Sequence, residues 1–190
     1  MILLMGTAIF SNIQSHLKLA EKEATMQQYA RDAITKISRE LRQARVAAGT
    51  RICNPSPCMV PEYTDIYAVV PDVAADGSTS GTYSLVRYWF QEDHQKPGSN
   101  IMSLYRARKT NGSSSEFPGG VLPTAFIDNR TRLLREAAAL NPGDESYFKI
   151  TGNLIQIVLI VAIYHLHPQS SIQYQIERKF RVDTQVQIRG

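Results

Sequence analysis

The chain of 190 residues is short of most things an enzyme active site is built from. It carries no Gly-rich phosphate loop, no H-E-x-x-H and no G-x-S-x-G, so nucleotide binding, zinc proteolysis and serine hydrolysis have no motif to stand on. Cysteine is scarce: only Cys53 and Cys58, separated by Asn-Pro-Ser-Pro. That spacing is not the C-x-x-C of thiol oxidoreductases. The four histidines (His16, His94, His165, His167) are scattered and there is no second Cys pair, which argues against zinc. Basic residues exceed acidic ones, 21 to 17, but no Lys/Arg run gathers the excess. A nucleic-acid partner is therefore not expected. No apolar run reaches the ~20 residues of a complete membrane helix. Tryptophan occurs once, as Trp89 between Tyr88 and Phe90, where core packing is the simplest reading.

Proline is absent from the first 48 residues, and Gly6 is the only glycine there. This stretch predicts one continuous helix, Met1 to Ala48, stopped by Gly49. Its tip, Met1 to Ile13, is apolar; beyond Gln14 it is amphipathic. Met26, Ala30, Ala33, Ile37, Leu41, Ala44 and Ala48 recur every three or four residues, a single stripe that Tyr29 and Ile34 widen. Arg39, Arg42 and Arg45 suit the negative end of the helix dipole. The expected division is residues 1–25 as a projecting helix half and residues 26–190 as a globular head that holds helix 26–48 and a sheet.

After Pro61 the pattern changes to strands and turns. Strands are expected at Asp65 to Val70, Tyr83 to Gln91, Ile101 to Arg108, Tyr147 to Ile150, Leu154 to Leu166 and Ile172 to Ile188. Leu154 to Leu166 is apolar enough to resemble a span, but it is short, β-branched and contains Gln156, Tyr164 and His165, as a central strand does. Arg130 to Leu140 is rich in helix formers and reads as a short helix ended by Asn141-Pro142-Gly143. The fold class is α+β, a long N-terminal helix packed on an antiparallel sheet.

Candidate chemistry is thin. Glu92-Asp93-His94 reads as a solvated turn, and His165 and His167 share a strand parity without a third ligand. Neither the sequence nor its spacing offers a catalytic, cofactor-binding or metal site. Cys53 and Cys58 can close a small disulfide loop in an oxidising compartment; two free thiols or half a metal site are the alternatives.

The segment Met26 to Val46, with Arg39-Glu40-Leu41-Arg42-Gln43-Ala44 at its end, resembles minor pilins of the PilW type and the J-type minor pseudopilins of type II secretion. The opening Met1-Ile-Leu-Leu-Met-Gly-Thr-Ala-Ile-Phe looks like the second half of a prepilin membrane segment, and the closing strand is similar to the last strand of such heads. The family's cleavage motif, Gly before Phe-Thr-Leu-Ile-Glu, does not occur: either the natural start lies upstream of Met1, the expectation favoured by an apolar opening that begins abruptly and is about half a span long, or the chain is not processed as a prepilin. The resemblance implies a pilin-like fold and a non-enzymatic subunit of a type IV pilus or secretion pseudopilus, in a priming or tip complex. Its implied partners are other pilins or pseudopilins, the inner membrane before assembly, and prepilin peptidase if the missing N-terminus exists. The head would stand outside the cytoplasm, in adhesion or secretion. Ile2, Leu3, Leu4, Met5, Ile9, Phe10 and Ile13 would then make helix–helix contacts, and Met26, Ala30, Ala33, Ile37, Leu41 and Ala44 would seat the head. The first rival is a membrane-tethered extracytoplasmic binding module that never enters a fibre; the second is an enzyme with its active site in the loops around Glu92 to His94.

Overall fold

The computed structural model describes residues 2–50, 64–73, 77–92, 101–110, 131–138, 146–166 and 174–189. Among these residues one helix, α1 (Ile2–Leu41), precedes eight strands: β1 (Val46–Thr50), β2 (Asp65–Val73), β3 (Thr79–Glu92), β4 (Ile101–Thr110), β5 (Thr131–Ala138), β6 (Tyr147–Thr151), β7 (Leu154–Leu166) and β8 (Tyr174–Gln187). The chain is thus α+β, with the helix first and an antiparallel sheet after it.

The helix is 40 residues long, about 60 Å at 1.5 Å per residue. Ala, Glu, Lys, Arg, Gln and Leu dominate its middle, and these lose little freedom in a helix. Two of its hydroxyls bond back to the preceding turn: Ser15 Oγ donates to the Ser11 carbonyl at 3.0 Å and Thr25 Oγ1 to the Glu21 carbonyl at 2.9 Å. The Gln28 amide donates to Asp32 one turn on, at 2.8 Å.

The expected helix to Ala48 ends instead at Leu41. Gln43 N–H and Ala44 N–H fall back to the carbonyls of Glu40 and Leu41, three residues earlier, the tightening that closes many helices. Arg45 N–H then bonds to the Val69 carbonyl at 2.9 Å, and Val46 to Thr50 continue as a strand along β2. Pairing with β2 satisfies the backbone of alternate residues and carries the chain into the sheet, so Ala48 and Gly49 lie in β1 and not in a helix stripe or stop.

The strand path runs β1-β2-β3-β4-β5-β7, all antiparallel. Strand β8 takes one whole edge of β7; β5 and β6 share the other, β5 at Ala137–Val161 and β6 from Tyr147–Val158 to Thr151–Leu154. Gly152, at φ +58°, makes the two-residue turn between β6 and β7, a conformation that glycine adopts without steric cost. Glu177 is the extra residue of a bulge in β8, since Ile163 faces Arg178 while Tyr164 faces Ile176. Within the segment expected as a short helix, Arg130 to Leu140, the described residues Thr131–Ala138 form β5. Its Leu134 is buried, and antiparallel pairing with β4 overrides the helix preference of its Leu, Arg, Glu and Ala residues.

Strand parity divides the head into two faces. Ile66, Ala68 and Val70 of β2, Val86, Tyr88 and Phe90 of β3, and Leu104 of β4 point toward the helix. They join Phe148, alternate residues of β7 from Ile155 to Ile163, and Val186 and Ile188 around the helix residues Met26, Ala30, Ala33, Ile34, Ile37 and Leu41. Phe90 stacks on Phe148 with ring centroids 5.3 Å apart. The other parity of β2, β3 and β4 builds a second apolar cluster of Tyr67, Val69, Leu85, Trp89, Tyr105 and Ala107. Backbone bonds from Arg189 N–H to the Ala44 carbonyl and from Ile188 N–H to the Asn153 carbonyl tie the end of the chain to the helix end and to the β6–β7 turn.

Candidate assembly helix

The helix carries two apolar stripes. Met26, Ala30, Ala33, Ile34, Ile37 and Leu41 are buried, as is Ala44 just past the helix end. Phe10, Ile13 and Leu17 are 62%, 51% and 64% exposed. At about 100° per residue, the mean direction of Phe10, Ile13 and Leu17 lies roughly 140° around the axis from that of the buried stripe. The exposed stripe is therefore not the head-facing stripe running on past the head. It looks away from it.

The head-facing line itself can be followed toward the N-terminus. Leu19 is partly buried against the core, and Glu23 receives Arg178 of β8 at 2.7 Å. Head contact thus reaches back to Leu19, ahead of the expected boundary at residue 25. Tyr29, expected to widen the buried stripe, is 55% exposed: it stands to one side of that stripe, where the sheet does not reach. Ile2, Leu3, Leu4, Met5 and Ile9 belong to the helix; their side chains lie outside the described set. Cys53 and Cys58 fall outside the described residues, as do Asp93, His94, His167 and Asn141-Pro142-Gly143. His16 is an exposed helix residue.

Two ion pairs fix how the head holds its helix and its own sheet. Arg106 of β4 grips Glu40 with Nε at 2.9 Å and Nη2 at 2.6 Å, and the Tyr88 hydroxyl donates to the same carboxylate. Burial raises the Tyr88 phenol above its ordinary range, and the Glu40 charge adds to this, so the hydroxyl remains a donor. Burial works against the Arg106 cation, but its bonds to Glu40 outweigh that and raise its pKa. On the other face of the sheet, Arg87 is buried with Asp65, its Nε 3.0 Å and its Nη2 2.5 Å from the carboxylate oxygens. Its guanidinium lies 4.3 Å from the Trp89 ring centroid and 5.5 Å from that of Tyr67. Desolvation raises the Asp65 carboxyl, against the opposing pull of Arg87. The Tyr67 phenol is pushed up to about 12, first by burial and then by the Asp65 charge.

Neither cluster resembles a catalytic site. The Asp65–Arg87 pair is closed in by Tyr67 and Trp89, and Trp89 in turn stacks on Tyr105 at 5.5 Å. Among the described residues no group of three or more His, Cys, Asp or Glu side chains is arranged to hold a metal. No helix among them is long and apolar enough to cross a membrane.

The sequence reading did not single out Arg87, Asp65 or Arg106. Arg87 interrupts the apolar run Leu85 to Phe90, and Asp65 opens a strand at the same parity. That coincidence was the available signal. Comparison of the chain with protein-family models, with curated proteins and with solved structures finds no match.

Proposed function

We propose that this chain is a structural subunit of a type IV pilin-like fibre, a minor pilin or pseudopilin that assembles through its N-terminal helix. The observation that carries the reading is the exposed stripe of Phe10, Ile13 and Leu17 on the side of the helix turned from the head. Each such side chain left in water forgoes about 1.5–3 kcal/mol of burial, and no element among the described residues of the head covers it. Neighbouring helices in a fibre core would, and so would a membrane before assembly. The pattern Arg39-Glu40-Leu41-Arg42-Gln43-Ala44 and the helix-first, antiparallel-sheet architecture support the same reading. On this account the apolar tip anchors the subunit in the inner membrane. The head stays on the extracytoplasmic side and acts in priming or at the tip, and the subunit performs no chemistry.

Intact mass and N-terminal sequencing of the protein from its native host test the pilin assignment. The expected result is a mature N-terminus upstream of Met1, beginning with an N-methylated residue that followed Gly in the precursor. A natural chain starting at Met1 would exclude prepilin processing, and the tethered binding module would become the better account.

A further inference from the structure

Beyond the assembly helix, the structure places in one cleft two guanidinium groups that form no ion pair among the described residues. The helix ends at Leu41, and the chain turns through Gln43 and Ala44 to Arg45 at the head of β1. The end of the chain returns to the same place, because Arg189 N–H bonds to the Ala44 carbonyl at 3.2 Å. Residues 45 and 189, remote in sequence, thereby line one cleft of about 470 Å³ with Gln43, Thr82 and Tyr83. The Arg45 guanidinium lies 4.9 Å from the centroid of the Tyr83 ring, which lines the same cleft.

The charged groups among the described residues of this cleft have one sign. None of these residues lining it is Asp or Glu, and neither Arg45 nor Arg189 forms an ion pair among the described residues. The nearest acidic group in sequence to the lining, Asp72, is already taken by Ser84, Thr82 and Arg108. Two guanidinium forks lining one cleft, with the Gln43 amide beside them, suit a multivalent oxyanion. We propose that the cleft is an oxyanion-binding site, taking a multiply charged carboxylate or phosphate group through Arg45 and Arg189, with Gln43 as a neutral partner. The source can be a small ion or the carboxylates of a partner protein's acidic segment; the chemistry of capture is shared. This site does not depend on the fibre reading, since it uses only residues of the head.

The test is calorimetric titration of the full chain at low salt with two probes, sodium phosphate and a blocked tri-aspartate peptide. Arg45→Gln, Arg189→Gln and the double variant are compared with Arg31→Gln, an exposed helix position away from the cleft. Both arginines keep their backbone bonds after substitution, and an unchanged thermal transition checks that the fold is retained. Each single variant is expected to weaken binding about tenfold, the worth of one charge-assisted contact, and the double variant to abolish it, while Arg31→Gln binds as the parent does. Phosphate bound more tightly than the peptide identifies a small ion as the source; the peptide bound more tightly identifies a protein acidic segment. Absence of saturable binding for both probes overturns the proposal. So does equal binding by the parent and the double variant, or an equal loss in Arg31→Gln.

Discussion

Arg106 of β4 closes a two-point fork on Glu40 of the helix, across 66 positions of sequence, and Tyr88 completes the grip from β3. The pair is mostly shielded, with side-chain exposures of 15% and 20%. Removing the carboxylate leaves Arg106 uncompensated and the Tyr88 hydroxyl without its acceptor. Glu40→Ala should cost about 2 kcal/mol and lower the melting temperature by roughly 4–8 °C. Arg106→Lys keeps the charge but cannot make the fork, and should recover only part of that loss relative to Arg106→Ala. Thermal unfolding followed by circular dichroism measures both.

The Asp65–Arg87 pair is more deeply buried, at 2% and 6% side-chain exposure, and should respond differently. Asp65→Ala strands a buried guanidinium between two aromatic rings and should destabilise by about 3–5 kcal/mol. Replacing both partners together, Asp65→Leu with Arg87→Met, should cost much less than the sum of the single Asp65→Ala and Arg87→Ala changes, because no charge is left unpaired. Urea denaturation of the variants decides between these outcomes.

Asp72 gives the head an acid-sensitive contact at the end of the sheet. It accepts from Thr82 at 3.0 Å, from Ser84, and from Arg108 at 2.6 Å. Desolvation raises its pKa, but these bonds outweigh that and hold the carboxyl below its ordinary value of 3.8. The folded state therefore holds this proton less tightly than the unfolded state. The contribution is present above pH 3.8 and is lost as pH falls below that value toward the depressed folded pKa. Asp72→Asn should be less stable than the parent at pH 7, and the gap should narrow below pH 3.8, as read from melting temperatures across an acid series.

The two helix stripes should separate cleanly in a stability assay. Ile37→Ala opens a cavity at a fully buried position and should cost about 2–5 kcal/mol. Ala33→Leu forces bulk against the sheet and should cost about 1–3 kcal/mol. Phe10→Ser, Ile13→Ser and Leu17→Ser, all at exposed positions, should each change the head's unfolding by less than about 0.5 kcal/mol.

Strand positions were most legible where the pattern needed no knowledge of neighbours. The apolar, β-branched run Leu154 to Leu166 is β7 from end to end, and the turn at Gly152 announces it. Errors arose where a partner strand decides. RTRLLREAAAL has the composition of a helix, yet its described part, Thr131–Ala138, pairs with β4 as a strand, and Val46 to Thr50 leaves the helix because β2 offers a ladder. Both are tertiary choices over weak local preferences. The buried arginine was hidden for a related reason. A lone Arg in an apolar strand acquires meaning only when register places Tyr67 opposite it and Asp65 within reach of its fork.

The claim that this helix is an assembly element is tested most directly by cysteine cross-linking at its outward stripe in the native host. Single cysteines at positions 10, 13 and 17 are compared with one at position 29, exposed but off that stripe. The account predicts that the protein is recovered in sheared or membrane-bound fibres, and that cysteines at 10, 13 and 17 cross-link to a neighbouring subunit while the cysteine at 29 does so far less. Exclusion of the protein from every fibre fraction, with no cross-link from any of the three positions, would contradict it.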